Sequence, residues 1–290
     1  FIGVEGEVYA TQTGEITVKA EKVTLLSKTL RPLPEKFHGV QDTEIKYRQR
    51  YLDLVTNEES RQIFLTRSKI VSFIRRYLED NGFIEVETPI LQTSVSGASA
   101  KPFFTHHNAL DIECNLRIAT ECYLKQCIGG GIDRVFELGK DFRNEGMDPS
   151  HLQEFTQVEW YASYWNFEDN LKFFKKLVVD MLKSCLGKTK INYQGMEIEF
   201  DCEWEKIDYV ARMRELLGCD FLAITDVNEL KKIVVDKKLF TYGDLEECKT
   251  VRTLVDYIYK RKIRADIVNP TVLYNYPAVL IPLARRNDKD

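Results

Sequence analysis

The chain has 290 residues, enough for one large domain or a small domain beside a large one. A hydrophobic share of 44%, a charged share of 30% and an aromatic share of 11% exclude a disordered chain. No apolar run is long enough to cross a bilayer, no segment at the start reads as a signal peptide, and a net charge of −4 offers no general basic field for nucleic acid, leaving room only for a local basic patch.

Residues 1–30 read as strands: Ile16, Val18 and Ala20 alternate with Thr17 and Lys19, and Thr13-Gly14 supplies a turn before them. Pro32 and Pro34 end this region, and a linker is expected up to about residue 60. The densest basic stretches follow, at Lys46, Arg48 and Arg50 and then at Arg61, Arg67, Lys69, Arg75 and Arg76. On a helix such charges are usually a solvated face. Phe64, Ile70, Phe73, Ile74, Tyr77 and Leu78 fall at helical spacing, and Asn81-Gly82 suits a left-handed helix stop. Phe83–Glu87 alternates as a strand that Thr88-Pro89 ends.

Residues 102–163 are mostly strand-like, broken by a helix near 119–128 that stops at Gly129-Gly130-Gly131. Residues 168–186 predict an amphipathic helix burying Leu171, Phe174, Leu177, Val178 and Met181, and helices are expected at 205–217, at 226–235 and within 243–261. Strands interrupted by helices that cluster late, without βαβ alternation, predict an α+β fold with an antiparallel sheet flanked by helices. The seven cysteines form no C-x-x-C pair, which suits free thiols in a reducing, cytoplasmic setting.

The chemistry is expected on a hairpin. Residues 134–143 and 154–162 read as two strands around a loop at 144–153, long for a hairpin and therefore a place for function. Alternation puts Phe155, Gln157, Glu159 and Tyr161 on one face of the second strand. In the first strand it separates Phe136, Leu138 and Phe142 from Glu137, Gly139, Asp141 and Arg143. The pattern alone also describes a sheet with one wetted face. Yet an arginine fork binds phosphate or carboxylate, a phenyl ring stacks on a purine, and a carboxylate accepts from an amine. A site joining an amino acid to a nucleotide needs all of these.

Phe142-Arg143-Asn144-Glu145-Gly146 with Glu154-Phe155-Thr156 resembles motif 2 of the class II aminoacyl-tRNA synthetases, and Asn81–Pro89 with its preceding helix resembles motif 1. Tyr47–Leu54, Gly97–Phe103 and Arg117–Glu121 resemble the lysyl-tRNA synthetases of that class in particular. Relatives specific for aspartate or asparagine usually carry Phe-Arg-Ala-Glu where this chain has Phe-Arg-Asn-Glu-Gly, which favours lysine. Each motif is weak alone; in this order, over nearly the whole chain, they are specific.

The resemblance implies lysine activation by ATP to lysyl-adenylate, then transfer to tRNA(Lys). It implies that residues 1–35 are the last strands of an OB-type anticodon-binding barrel, 36–60 a linker and 61–290 the catalytic domain. It implies that Arg143 is catalytic, holding the α-phosphate and the lysine carboxylate. Glu145, His151 and Phe155 would complete the ATP site. Gly97, Glu121, Glu159 and Tyr161 would complete the lysine site. His151 also reads as a plain solvated loop histidine. Motif 1 would build a homodimer, although its helix could equally pack on its own core.

Two departures stand out. Ala119-Thr120-Glu121 replaces the Ala-Pro-Glu of many relatives, with the glutamate kept. The chain also begins at Phe1-Ile2-Gly3 without Met and stops at Arg285–Asp290, before any segment like the glycine-rich motif 3. A chain cut at both ends is expected, with Mg²⁺ ligands beyond residue 290 and little activity. A paralogue that lysylates a protein, and a non-catalytic fragment binding tRNA or a partner, are the alternatives.

Overall fold

The computed structural model describes residues 1–33, 39–146, 148, 151–281 and 284. Pro34 and the start of the expected linker, three residues of the 144–153 loop (Met147, Pro149, Ser150) and the last residues, 285–290, lie outside the described residues. The chain divides into two compact units, 1–72 and 73–290.

In the first unit β1 (Ile2–Ala10) pairs antiparallel with β2 (Ile16–Leu25), as the alternation predicts. The register slips between Glu5 and Gly6, where a Cβ on Gly6 would strike the Lys19 carbonyl. The stretch expected as a linker is largely helical, with α1 at Thr43–Arg48 and α2 at Arg50–Thr56. Polar spacing hid these helices, because their anchors are local and charged. Asp42 caps α1 through the Ile45 amide, and the buried Asp53 carboxylate takes Arg50 at 2.7 Å. Next comes α3 (Glu58–Asp80), at the place its periodicity predicts.

In the second unit Leu78 of α3 is fully buried and Gly82 takes φ +80°, the left-handed stop read from the sequence. The expected strand at 83–87 shrinks to β3 (Ile84–Glu85). Then follow β4 (Leu91–Gln92), β5 (Phe104–His107), β6 (Ile112–Leu116), α4 (Glu121–Gly129), β7 (Arg134–Phe142) and β8 (Glu154–Ala162). One sheet runs β3-β7-β8 and another β4-β6-β5. The predicted antiparallel character holds for β7–β8 and for β4-β6-β5, but β3 joins β7 in parallel, so the site-bearing sheet is mixed. The long crossover from β3 to β7 permits this, since a parallel neighbour needs a connection of a dozen residues or more.

The hairpin packs its apolar face onto α3 and α5 (Phe167–Leu186). Leu78, Phe83 and Phe136 form the buried centre, with Leu138, Val158, Trp160, Trp165 and Phe173 around them. Asn166 and Asp169 close a capping box at the start of α5, and Gly187 ends it at φ +70°. The buried stripe of α5 is rotated from the predicted one: Leu177, Val179 and Leu182 are buried, while Phe174 is 41% exposed. Phe173, not Phe174, enters the aromatic cluster, touching Phe83, Trp165 and Tyr77, and this turns the helix.

A small hairpin follows, β9 (Lys190–Tyr193) with β10 (Met196–Glu199). Residues 205–208, expected as the start of a helix, form β11 (Glu205–Asp208) and pair in parallel with β12 (Thr271–Tyr274). That distant partner overrides the local pattern. Asp208 then caps α6 (Tyr209–Leu217) through the Ala211 amide. With α7 (Val227–Asp236) and α8 (Val251–Lys262) it encloses a second core of Met213, Leu217, Leu230, Val234, Leu254 and Ile258, all fully buried.

Candidate active site

Strand register decides which side chains share a face. Val135 lies opposite Tyr161, Glu137 opposite Glu159, Gly139 opposite Gln157 and Asp141 opposite Phe155. The polar face read from alternation therefore exists as a single floor, back to back with the apolar face at Phe136, Leu138, Val158 and Trp160.

Three groups of expected residues meet on this floor. Glu159 accepts from Tyr161 Oη at 2.6 Å, from Gln157 Nε2 at 2.8 Å and from Thr120 Oγ1 at 3.0 Å. All three donors are neutral, so the carboxylate is fixed in place without a cation. Thr120 stands at the N-cap of α4, but its hydroxyl makes no cap bond and serves Glu159 instead. Burial first, and then the bond to Glu159, push the Tyr161 phenol far above its ordinary range. It stays a protonated donor.

The second group is Gly97 with Glu121. Gly97 has φ +85°, and a Cβ there would lie 3.1 Å from Ala119 Cβ and 3.3 Å from Glu121 Cβ. Only glycine lets this backbone approach the segment so closely. Glu121 pairs with Lys125 at 2.5 Å, and that ammonium lies 5.9 Å from the centre of the Tyr161 ring. The third group is Arg143, whose guanidinium carbon sits 5.2 Å from the Phe155 ring centre. Among the described residues its side chain makes only long hydrogen bonds, to the Ile118 carbonyl, both 3.4 Å. Among the described residues the guanidinium is held loosely, and its fork suits a carboxylate or phosphate ligand.

Glu145 and His151 are not gathered into this floor. Glu145 is exposed, and its side chain makes no hydrogen bond among the described residues. His151 is exposed too, with Nδ1 at 2.6 Å from Asp148 Oδ2. The loop base is nonetheless ordered by backbone bonds, from the Arg143 amide to the Gln153 carbonyl and from the Asn144 amide to the Lys101 carbonyl.

Beneath the floor lies a buried charged group that sequence reasoning did not assemble. Arg117 is 1% exposed and donates to Glu137 Oε1 at 2.5 Å, to the Thr88 carbonyl at 3.0 Å and to the Lys140 carbonyl at 2.9 Å. Thr88 Oγ1 donates to the other Glu137 oxygen at 2.6 Å. A Cβ on Gly139 would collide with Arg117 Nη2, so glycine is what admits the guanidinium. Arg117 thereby fixes the start of the segment that presents Ile118 to Arg143 and Thr120 to Glu159. Alternation had put Glu137 and Asp141 on the floor; nothing local marked Arg117 as their partner. A cavity of about 570 Å³ adjoins this group, lined by Arg75, Thr88, Arg117, Glu137 and Lys140 among others, and none of the expected site residues lines it. The floor itself is the candidate site. No group of three or more histidine, cysteine, aspartate or glutamate side chains able to hold a metal ion occurs among the described residues.

An α+β protein whose mixed sheet sets an arginine on an aromatic ring beside a cation-free carboxylate is built to hold a ligand with both anionic and cationic groups. The chain belongs to the class II tRNA synthetases (D, K and N), whose family model matches residues 42–290. It is 43% identical over 289 residues to proteins named lysine–tRNA ligase from Bacillus thuringiensis (strain Al Hakam), Bacillus cereus (strain ZK / E33L) and Bacillus anthracis. The match covers 100% of this chain and 57% of each relative, so the chain spans little more than half the length of the curated relatives it matches.

Proposed function

We propose that the chain carries the amino-acid-activating floor of a lysine–tRNA ligase. A lysine carboxylate oxygen attacks the α-phosphorus of ATP, the bond to the β-phosphate bridge breaks, and pyrophosphate leaves. The terminal adenosine hydroxyl of tRNA(Lys) then attacks the lysyl carbonyl and AMP leaves. The observation that carries the reading is Glu159, an anion held by Tyr161, Gln157 and Thr120 with no cation of its own among the described residues. A substrate ammonium is the complement it lacks, and a buried ammonium without such a partner would be costly.

In this reading Glu159, Tyr161, Glu121 and the Gly97 backbone hold lysine. Arg143 binds the lysine carboxylate and the α-phosphate, where charge grows in the transition state. Phe155 stacks on adenine, Glu145 meets its amino group, and His151 contacts phosphate or ribose from the loop. Exposure of the last two suits groups that engage only once nucleotide is bound. Mg²⁺ would assist by neutralising phosphate charge. The described residues do not fit a metal site, so no step runs through it.

The β1–β2 hairpin is read as two strands of an OB-type barrel, supported by its exposed apolar side chains Val4, Val8, Ile16, Val18 and Val23. Residues 36–60 would link it to a catalytic domain at 61–290. A homodimer through the α3–β3 region and a cytoplasmic setting complete the proposal. The exposed Ile63, Phe64 and Leu65 of α3 support the dimer, and seven free cysteines support the reducing compartment. No helix among the described residues is long and apolar enough to cross a membrane.

The test is ATP–pyrophosphate exchange with lysine, aspartate and asparagine in parallel. Exchange with lysine alone is expected. Exchange with aspartate or asparagine but not lysine overturns the substrate, and no exchange with any of them overturns activation by this chain.

A further inference from the structure

The proposed chemistry leaves two floor carboxylates unused, Glu137, which Arg117 and Thr88 bond, and Asp141. Asp141 is fully buried, and neither of its oxygens has a hydrogen-bond partner among the described residues. Arg117 Nε comes within 3.1 Å of Oδ1, but its single hydrogen goes to the Lys140 carbonyl at 2.9 Å. The approach is one of charge and not of hydrogen bonding. An ionised carboxylate buried without donors is far more costly than a neutral carboxyl.

Charge balance makes the same point. The charged groups facing Asp141 are Arg117 from the segment before α4, Glu137 from its own strand, Glu159 from β8 and Arg143 just past the end of β7. At the rim Glu121 and Lys125 cancel each other. Arg117 is committed to Glu137 at 2.5 Å, and Arg143 and Glu159 act on Asp141 with opposite charges that sum to zero without pairing with each other. Asp141, if ionised, leaves the empty floor with one uncompensated negative charge. A lysine zwitterion brings one net positive charge, which would balance it.

We propose that Asp141 is a further specificity-determining residue, which carries a proton in the empty site and releases it to solvent as lysine binds. The carboxyl O–H breaks, its proton passes to buffer, and the resulting carboxylate offsets the incoming cation. The inference rests on the lysine-binding reading above. Burial first, then Glu159 and Glu137, hold the Asp141 carboxyl above its ordinary range against the opposing pull of Arg117 and Arg143, which agrees with a proton resident in the empty site. A neutral amino acid would bring no net charge and gain nothing from the carboxylate, so the ionised floor favours lysine over it.

Calorimetric titration of the protein with lysine, without ATP, tests this at pH about 5 to 6, just above the ordinary carboxylate range. Repeating it in buffers of different ionisation enthalpy reads the protons released. Wild type should release up to one proton per lysine, and its affinity should rise with pH through this window, by at most tenfold per pH unit, and then level off. Asp141→Asn should release none, show a flat profile and bind lysine about tenfold more weakly, the scale of one partly buried charge interaction. His151→Gln should keep the wild-type release, which excludes the loop histidine as the source. Lysine heats that do not depend on the buffer overturn the proton exchange and leave the lysine site standing. Release that persists in Asp141→Asn overturns it as well. No lysine heat in any buffer overturns the lysine site and the exchange together. Where Asp141→Asn does not fold, judged by near-ultraviolet circular dichroism, the decision falls to His151→Gln: retained release with a wild-type pH profile supports the proposal, and lost release overturns it.

Discussion

The helical region around α6, α7 and α8 and the β7–β8 hairpin bury side chains to different ends. The helical region fills its centre with leucine, valine, isoleucine and methionine, capped at Asp208, Asp226 and Thr250. The hairpin has a small apolar centre at Leu78, Phe83 and Phe136 on one face and on the other buries Arg117, Glu137 and Asp141. Apolar burial stabilises without direction, whereas a buried ionic group stabilises only while every partner stays in place. The hairpin thus gives up tolerance to substitution in return for fixed charge.

The largest expected effect comes from breaking the ionic side. Arg117→Ala strands Glu137 and Asp141 in a buried setting, and about 3–5 kcal/mol should be lost in urea unfolding. A loss under about 1 kcal/mol would mean that water reaches the group. The matching apolar change, Leu230→Ala, should cost about 2–5 kcal/mol. It should leave the dissociation constant for lysine within about twofold of wild type, because the helical core does not reach the floor; a large loss of affinity would break the comparison.

Glu159→Gln should move function more than stability. The amide oxygen can still accept from Gln157 and Thr120 and the amide nitrogen can donate to Tyr161 Oη, but the charge is gone. The KM for lysine in pyrophosphate exchange should rise about 10- to 100-fold, equivalent to roughly 1.5–3 kcal/mol for a charged hydrogen bond. An unchanged KM would remove Glu159 from the lysine site. Thr250→Ala, which breaks the capping box of α8, should lower stability by about 1 kcal/mol.

The smallest effect concerns pH. The folded state holds the Asp141 proton more tightly than the unfolded chain does. Its stabilising contribution is therefore present in acid and is lost as pH rises through the folded value. Asp141→Asn should melt slightly higher than wild type at neutral pH and equally at pH about 3, below the ordinary aspartate range. A lower melting temperature at neutral pH would mean that the carboxylate is ionised and favourable there.

What the sequence disclosed follows from the range of each interaction. Alternation is local, so Gln157, Glu159 and Tyr161 could be put on one face with Glu137 and Asp141 before any register was known, and the register agrees. Cap residues are equally local, and Gly82 ends α3 as read. The parallel pairing of β11 with β12 joins distant stretches, so residues 205–208 looked like the first turn of a helix. Arg117 shows the same limit, since Thr88, Glu137 and Lys140 become its neighbours only after the sheet forms. The stripe of α5 was misread by about one position because two adjacent phenylalanines competed for one aromatic cluster, and only packing chooses Phe173.

That cluster also determines how the molecule looks in a spectrometer. The three tryptophans are Trp160, Trp165 and Trp204. Trp160 and Trp165 stand edge-on to Phe173, and Trp204 edge-on to Phe174, all along α5. No indole lies in the core formed by α6, α7 and α8. Intrinsic emission therefore reports the junction of hairpin and α5 and is silent about the helical core, whose melting only far-ultraviolet ellipticity would record. If the two optical traces separate on heating, the helical core and the hairpin unfold as independent bodies, and the delay between them measures how far the ionic floor can loosen while the rest of the chain stays folded.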